Sequence, residues 1–480
     1  MLSLADESEL LDRGSSDPTF WVQNVLGCEP WRMQRNILDA IRTRDRVAVA
    51  SCHGAGKSWL AARIALWFLY NHCPSVVITT APTDRQVRGI LWKEIGRAHR
   101  DSTYRLGGKP LSNKIALDID WYAWGFTAPD YDPDRFQGFH EENILIIVDE
   151  ASGVSAAIFD GIDGILSSAN AKLLQIGNPT DPQGYFANSF TRKSTAQFHI
   201  SAFDTPNFTH FGILPEDIAS GEWLQKVNGP LPAPWLVTPE WVRDKFERWG
   251  ASTPWWQSRV MGQFPSESED TLIPMAWVEA ARMRELKPEG RSSLGVDVAR
   301  SGSDESACYH AHGPVCRRVF ARQGLMINET AGRVRRVLAK GTARPAFVDI
   351  IGLGAGVHDI LAEADPGSVE EVNFAATAYD TERFANLKAE LYWRVRDRFE
   401  NGTIDIDPED EALAVQASSV RWGIDSKGRV VIESKEEMTK RGVRSPDRFE
   451  ALVYAYAGAP TTIEGTIDIG GPTRNRPWDV

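Results

Sequence analysis

The eight residues from Ser51 to Ser58, Ser-Cys-His-Gly-Ala-Gly-Lys-Ser, constrain the fold of this chain more than any other stretch. They follow an apolar run, Val47–Ala50, and precede a largely apolar, helix-like segment, Trp59–Tyr70. A strand, a loop of small residues, Lys-Ser and then a helix present backbone N–H groups and a helix N-terminus to a phosphate chain. The stretch therefore predicts an α/β fold with a phosphate-binding loop. The alternative is an ordinary glycine-containing turn between a strand and a helix.

Each residue type in this loop has an expected task. Lys57 is expected to reach the β- and γ-phosphates, and Ser58 to place its hydroxyl on Mg²⁺. Ser51 stands where the usual pattern has its first glycine, which leaves two later glycines to make the tight turn. The predicted nucleotide-binding residues of the loop are Ser51, Gly54, Ala55, Gly56, Lys57 and Ser58.

A second strong signal is a run of five aliphatic residues, Ile144–Val148, followed by Asp149 and Glu150. The run predicts a buried central strand with two carboxylates at its carboxyl end. Burying two acids is costly unless a cation or a proton transfer requires them. We expect Asp149 to help hold Mg²⁺ and Glu150 to polarise the attacking water. Together with the phosphate loop, this pair predicts a nucleoside triphosphatase.

Other residues are weaker candidates for the same site. Trp31 and Gln34 could stack on and hydrogen-bond an adenine ring, although a packed tryptophan and a surface glutamine explain them as well. Asn178 or Thr180, after another apolar strand, could sense the γ-phosphate; the alternative is a turn set by Gly-Asn-Pro.

Triphosphatases of this kind also use a cation on the transition state, often from a neighbouring subunit. Arg135 lies in the loop before the Asp149 strand and is the candidate, in competition with Arg85 and Arg88.

A second group of carboxylates occupies the C-terminal third of the chain. Asp297 and Asp349 each interrupt an apolar, strand-like run, and Asp447 follows Pro446 at the start of a helix. Such acids repel one another unless cations lie between them, and two divalent ions would suit phosphodiester cleavage. Asp447 alone is an ordinary helix-start residue, so the hypothesis depends on Asp297 and Asp349.

Composition limits the partners. The net charge is -12 over 480 residues, which argues against a generally basic nucleic-acid-coating protein. It leaves room for a local basic rim before Asp447, made by Lys427, Lys435, Lys440, Arg441 and Arg444, although a solvated charged face explains these residues as well. Five cysteines without metal-ligand spacing fit a reducing cytosol. The N-terminus does not read as a signal peptide, and no uncharged apolar run approaches membrane-spanning length, so we expect no membrane partner.

Taken together, these motifs resemble the large terminases of tailed bacteriophages. The resemblance runs from about Trp31 to Ala457 and includes the variant phosphate loop, the Asp149-Glu150 pair and the three later aspartates. Its remaining pieces are Ala81-Pro82-Thr83 with Gln86, Gly177-Asn178-Pro179-Thr180 and Gly262-Gln263-Phe264-Pro265. The order of so many pieces is specific, although each piece is common.

The resemblance implies an additional-strand, RecA-like ATPase followed by a ribonuclease H-like nuclease that uses Mg²⁺ or Mn²⁺, with two ions. It implies ATP as the nucleotide and double-stranded DNA, a capsid portal protein and a small terminase subunit as partners. It also implies a homo-oligomeric ring and a location in the cytoplasm of an infected bacterial host. Carried over by position, the motif roles fall on Lys57, Ser58, Asp149, Glu150 and Asn178 in the ATPase, on Arg135 as the trans-acting arginine, and on Asp297, Asp349 and Asp447 in the nuclease.

The predicted domains are an ATPase domain at 1–203, a helical connector at 204–290, a nuclease domain at 291–460 and a flexible tail at 461–480. Two other functions remain open at this point. One is a helicase-like remodelling ATPase whose C-terminal acids do not cut DNA, and the other is a portal-docking scaffold without ATP turnover.

Overall fold

The computed structural model describes residues 13–127, 139, 141–265, 270–299 and 304–458. Among these residues the chain forms two compact units. The first unit takes in the residues up to 286 together with 380–385 and 396–446, and the second takes in 287–379, 386–395 and the residues from 447. The sequence-based domain boundaries stay a prediction.

Fifteen strands are formed by the described residues. Those of the first sheet are β1 Arg46–Ser51, β2 Val76–Thr80, β3 Lys114–Asp118, β4 Trp121–Gly125, β5 Asn143–Asp149, β6 Asn170–Gly177 and β7 Ala196–Ile200. The others are β8 Ser292–Asp297, β9 Glu305–His312, β10 Val315–Gln323, β11 Ala346–Asp349, β12 Val369–Val372, β13 Asp405–Ile406, β14 Trp422–Ile424 and β15 Val430–Ile432.

The helices of the first 286 residues are mostly short. They are α1 Pro18–Asn24, α2 Arg32–Thr43, α3 Lys57–Asn71, α4 Trp92–Arg100, α5 Ala156–Ile165, α6 Tyr185–Ser189, α7 Pro206–Thr209, α8 Pro215–Ser220, α9 Trp223–Lys226, α10 Pro239–Trp249, α11 Pro254–Arg259 and α12 Met275–Met283. A π-helical turn, Arg85–Leu91, leads into α4.

The later helices are α13 Ile327–Leu338, α14 Gly354–Ala364, α15 Leu387–Glu400, α16 Glu411–Ser419, α17 Lys435–Lys440 and α18 Asp447–Ala455. Within the described part of the chain, no helix combines the length and the apolar character needed to cross a membrane.

The sheet of the first unit has seven strands in the order β3-β4-β2-β5-β6-β1-β7. All neighbouring strands are parallel except β3, which runs antiparallel to β4. Strand β6 lies between β1, which leads into the phosphate loop, and β5, which ends at Asp149. An extra strand in this place is the defining feature of the additional-strand, RecA-like sheet. The aliphatic residues of β1 and β5 are buried, as continuous apolar runs in a covered parallel sheet should be.

The strands of the second unit follow one another in their sheet in the order β12-β11-β8-β9-β10. β8, β9 and β10 form an antiparallel meander, whereas β8, β11 and β12 are parallel. A three-stranded meander extended by two parallel strands is the ribonuclease H-like arrangement. The predicted fold class is therefore confirmed in both units.

Helix α18 packs directly on β8 because Gly295 has no side chain. A Cβ at Gly295 would lie 2.0 Å from the Ala451 oxygen and 2.1 Å from the Ala455 nitrogen. The Ser293 hydroxyl also donates a hydrogen bond to the Ala455 oxygen, at 2.7 Å. This contact fixes the helix on the sheet and determines where its first residue, Asp447, lies.

In the chain segment that follows β7 and precedes β8, tryptophan side chains pack on one another. The ring centroids of Trp241 and Trp249 are 5.8 Å apart, and those of Trp249 and Trp255 are 5.7 Å apart. Trp255 is fully buried, and its indole N–H donates to the Ser418 hydroxyl at 3.0 Å. These rings form a small aromatic core of their own.

Candidate functional sites

The phosphate loop has the backbone that its glycines permit. Gly54 and Gly56 adopt φ values of 70° and 82°, in the left-handed region that favours glycine. Helix α3 begins at Lys57, directly after Gly56. The loop therefore ends at the N-terminus of a helix of fifteen residues. The first N–H groups of this helix, which have no partner within the helix, lie next to the loop that follows β1.

Two loop residues, Lys57 and Ser58, face the carboxyl ends of β5 and β6. The Lys57 ammonium lies 3.3 Å from Asn178 Oδ1 and 3.4 Å from the Cys52 oxygen. The Ser58 hydroxyl donates to Asp149 Oδ2 at 3.3 Å. Residues that are 121 and 91 positions apart in the sequence thus meet where a parallel sheet places its ligand sites.

The first of the two carboxylates after β5 is held by the backbone of the second. Asp149 is buried, and its Oδ1 accepts the backbone N–H of Glu150 at 3.0 Å. Burial raises the pKa of Asp149 to about 7, and the negative charge of Glu150 adds to the rise while Lys57 opposes it. Because a divalent cation would favour the charged form, this environment suits a cation ligand.

Asn178 connects three parts of this site. Its side-chain amide donates to the Ser51 oxygen at 2.7 Å, and its Oδ1 faces Lys57. Its backbone oxygen accepts the Ser152 hydroxyl at 2.7 Å, and that hydroxyl also accepts the Thr180 N–H at 3.2 Å. The role of Ser152 was not predicted from the sequence; its position two residues after the acid pair was the available signal.

The predicted adenine-binding pair lies beside the loop. Gln34 is buried, and its Oε1 accepts the backbone N–H of Trp31 at 3.1 Å. A Cβ at Gly56 would lie 2.9 Å from Gln34 Nε2, so the glutamine amide contacts the phosphate loop. Gln34 is therefore not the surface glutamine that the alternative to adenine binding expects. The indole nitrogen of Trp31 is buried and has no hydrogen-bond partner among the described residues.

Residues 236–260 form the outer support of the loop, which the sequence did not indicate. The Val237 N–H donates to the Gly54 oxygen at 3.0 Å, and the His53 N–H donates to the Arg259 oxygen at 2.8 Å. The His53 and Trp241 rings stack with centroids 5.7 Å apart. Burial, together with the positive charges of Lys57 and Arg259, lowers the pKa of His53 to about 4. The imidazole is therefore neutral at pH 7.

The geometry of the site does not show which of the candidate arginines acts on the transition state. Arg135 lies outside the described residues. Arg88 is exposed and forms a local ion pair with Asp84 at 2.8 Å. The identity of the trans-acting arginine stays a prediction.

The second candidate site lies at the strand ends of the other sheet. Val296 and Val348 are partners in the parallel register of β8 and β11, so the next residues, Asp297 and Asp349, end neighbouring strands at the same level. Asp447 begins α18 and is buried. Its Oδ2 accepts the backbone N–H of Glu305 at 2.9 Å.

The tightest carboxylate group at this site is made by Asp297, Asp447 and Glu450. One oxygen from each lies within 4.8 Å of the other two, and all three residues are buried. Opposite ligands of Mg²⁺, each about 2.1 Å from the ion, are about 4.2 Å apart, so this spacing fits a hard divalent cation. Asp349 is not in the group, and its Oδ1 accepts the N–H of Ile351 at 2.9 Å.

Glu450 was not predicted as a site residue from the sequence. The available signal was its spacing of three residues from Asp447, which places both carboxylates on one face of a helix. Two residues of α15 complete its surroundings. The Tyr392 hydroxyl donates to Glu450 Oε1 at 3.0 Å, and the Lys388 ammonium lies 3.6 Å from the same oxygen.

The basic residues expected as a rim before Asp447 include one that is already paired. Arg441 binds Glu433 at 2.6 Å and the Ser419 oxygen at 3.0 Å. Its guanidinium is therefore part of the local structure, and the contact with DNA expected of this rim stays a prediction.

Comparison with known proteins gives one informative relative. The chain is 25% identical over 468 residues to a probable terminase, large subunit, of Enterobacteria phage P7, covering 90% of this chain and 88% of that protein. No family model matches the chain. This relative confirms the resemblance that the motifs indicated.

Solved structures with low similarity include two kinds of protein. The large terminase of the thermophilic bacteriophage D6E in complex with ADP is 12% identical and covers 93% of this chain and 98% of its own, with a TM-score of 0.39. The nuclease domain of the large terminase subunit gp2 of bacterial virus Sf6 is 21% identical and covers 40% of this chain and 99% of its own, with a TM-score of 0.36.

Proposed function

We propose that this chain, which resembles the terminase large subunits of tailed bacteriophages over nearly its whole length, is the ATPase and nuclease subunit of a viral DNA-packaging motor. The main support is the contact of Ser58 with Asp149, at 3.3 Å, on a sheet with an extra strand between their strands. A second buried carboxylate group, on a separate sheet, supports the nuclease activity.

In the first unit, the proposed substrate is ATP. Lys57 and the N–H groups of the loop bind the β- and γ-phosphates, and Ser58 and Asp149 would hold Mg²⁺. When bound, Mg²⁺ neutralises charge on the phosphates. Glu150 accepts a proton from the attacking water, and Asn178, which contacts both Lys57 and the end of β1, responds to the γ-phosphate.

The remaining nucleotide contacts follow from the surroundings of the loop. Gln34 and Trp31, next to Gly56, are placed to contact the adenine or ribose. Arg135 of a neighbouring subunit is the proposed cation for the transition state.

In the second unit, the proposed reaction is cleavage of double-stranded DNA. Asp297, Asp349 and Asp447 would hold Mg²⁺ or Mn²⁺, in two positions. When bound, such ions lower the pKa of water and stabilise the leaving oxygen. The chain supplies these carboxylates as ligands. The Glu305 N–H, which donates to Asp447 Oδ2, orients one of them.

The proposed partners follow from the resemblance. They are double-stranded DNA, a capsid portal protein, a small terminase subunit and further copies of this chain in a ring. The proposed location is the cytoplasm of the infected bacterial host.

Two single substitutions test the proposal in the purified full-length chain. Lys57→Ala should lower DNA-stimulated ATP hydrolysis by about 10²-fold or more, because the charge on the transferred phosphoryl group loses its cation. Asp297→Ala or Asp349→Ala should abolish cleavage of plasmid in Mn²⁺ while ATP hydrolysis remains. Each variant therefore serves as the folding control for the other activity.

Other outcomes would favour the alternatives. Uncut plasmid with well-folded wild-type protein in every divalent metal would favour a helicase-like remodelling ATPase. Unchanged ATP turnover in Lys57→Ala would favour a portal-docking scaffold and contradict the assignment of the first site.

A further inference from the structure

Glu450 lies one helical turn after Asp447 on α18 and has no assigned role. Its side chain is buried, and one of its oxygens is within 4.8 Å of ligand oxygens of both Asp297 and Asp447. The two positions of α18 face the same side because residues three apart on a helix are neighbours. The candidate nuclease centre therefore contains an acid beyond the three aspartates expected there.

The Glu450 carboxylate is oriented by two groups from helix α15. Tyr392 donates a hydrogen bond to Oε1 at 3.0 Å, and the Lys388 ammonium is 3.6 Å from that oxygen. Tyr392 is fully buried, and burial together with the charge of Glu450 raises its pKa well above the usual value. Tyr392 therefore remains a neutral donor. Hydrogen bonds of this kind commonly fix carboxylates that bind metals.

A second, independent feature points to a ligand at this cluster. The Tyr454 hydroxyl, one turn beyond Glu450 on the same helix, is buried and has no hydrogen-bond partner among the described residues. Burial and the negative charges of Glu450, Asp297 and Asp349 raise the pKa of Tyr454 well above its usual value. A buried hydroxyl is costly to leave without a partner, and a polar ligand within the cluster would supply one.

We propose that Glu450 is a fourth carboxylate of this metal centre and a direct metal ligand, with Tyr392 and Lys388 as positioning residues. Asp297, Asp447 and Glu450 bring three carboxylates together, and Lys388 contributes one positive charge at Glu450. A divalent cation bound by the three oxygens would lower their mutual repulsion. The proposal rests on the proposed nuclease function and extends it by naming a ligand from α18.

The test compares Glu450→Gln with the matched control Glu390→Gln by Mn²⁺ titration. Glu390 is also buried in the second unit, but it pairs with Arg394 outside the cluster. Both substitutions are made in an Asp149→Asn background, so that the phosphate-loop site contributes no metal signal. Bound Mn²⁺ is measured by electron paramagnetic resonance, and thermal denaturation is followed with EDTA and with Mn²⁺.

Glu450→Gln should weaken Mn²⁺ binding by about tenfold or more, since loss of an orienting partner alone costs 10- to 100-fold. In EDTA its melting temperature should be equal to or above that of the parent, because one buried negative charge is removed. Glu390→Gln should instead lower the melting temperature and leave the Mn²⁺ affinity unchanged.

Tyr392→Phe is the second variant, because it keeps every carboxylate and the ring packing on Phe374 and Phe449. It should weaken Mn²⁺ binding while the fold is retained. Parental Mn²⁺ affinity in both Glu450→Gln and Tyr392→Phe, with a lower melting temperature in EDTA, would show that Glu450 is a structural anchor and would overturn this inference alone. Absence of saturable Mn²⁺ binding in the parent would overturn both the inference and the proposed nuclease centre.

Discussion

At the scale of single residues, the conformation of Glu150 is the clearest sign of a specialised position. Its φ of 48° makes it the one non-glycine with a positive φ among the described residues. The chain turns here beside β6, where a Cβ on Gly177 would lie 2.9 Å from the Ala151 nitrogen. A side chain in this region costs about 1 kcal/mol or more, so the surrounding packing must hold it.

This conformation predicts an unusual order of stability at position 150. Both Glu150→Gly and Glu150→Ala should lower ATP turnover by about 10²-fold or more, because both remove the proposed base. Glu150→Gly should nevertheless be more stable than Glu150→Ala by about 1 kcal/mol, because glycine adopts positive φ without strain. Urea denaturation of the two variants measures the difference.

The control is Glu247, which is exposed on helix α10. There the order should reverse, with alanine more stable than glycine by about 1 kcal/mol. An alanine variant that is the more stable at both positions would contradict the argument from backbone strain.

At the scale of elements, the phosphate loop depends on a segment that follows it by about 200 residues. Val237, Trp241 and Arg259 contact Gly54 and His53 through two backbone hydrogen bonds and one stacked ring pair. A loop whose glycines permit many conformations is held in one of them by these contacts. The region expected as a connector is therefore, in part, structural support for the proposed ATPase site.

The contact of α18 with β8 gives a prediction about the second unit. Gly295→Ala should destabilise this unit by several kcal/mol, because the new methyl would overlap the backbone of α18 at about 2 Å. Cleavage in Mn²⁺ should fall as well, since Asp447 begins that helix. Denaturant unfolding and plasmid cleavage measure the two effects.

The matched control is Gly332, in the interior of helix α13, where a Cβ would meet nothing within 4 Å. Gly332→Ala should raise stability by about 0.5–1 kcal/mol, because alanine favours helix. Equal stability of the two variants would show that α18 can shift on the sheet.

At the scale of the whole molecule, each unit has its own hydrophobic core and its own candidate site. One core surrounds the aliphatic residues of β2 and β5, and the other surrounds those of β8 and β11. Within each unit, site residues that are far apart in the sequence lie close together, such as Ser58 and Asp149 in the first and Asp297 and Asp447 in the second.

This organisation predicts two thermal transitions that respond to different ligands. A non-hydrolysable ATP analogue with Mg²⁺ should raise one transition, by about 2.7 kcal/mol of added stability at a hundredfold excess over Kd, and Lys57→Ala should remove the effect. Mn²⁺ without nucleotide should raise the other transition, and Asp297→Asn should remove that effect. Calorimetry measures both. A single transition that responds to both ligands would contradict independent unfolding of the units.

Much of the fold and part of each site could be predicted from local sequence. The phosphate loop, the aliphatic run before Asp149 and the isolated acids in apolar strands each carry their signal within about ten residues. Patterns of this length identify strands, helix starts and loop chemistry. They were sufficient for the fold class and for the meeting of Lys57, Ser58, Asp149 and Asn178.

The remaining features depend on contacts between distant segments. Glu450 looks like an ordinary helical glutamate until α18 lies on β8, and Gln34 looks like a surface residue until α2 meets Gly56. Asp349 ends a strand beside Asp297, yet the carboxylate group that could hold a metal ion joins Asp297 to Asp447 and Glu450, which both come from helix α18.

The sequence by itself determined which residue types stand at the strand ends and helix starts, because hydrophobic period and turn chemistry are local properties. Only the tertiary structure decided which of those side chains share a site, because that depends on the order of strands in each sheet and on how closely a helix can approach a glycine.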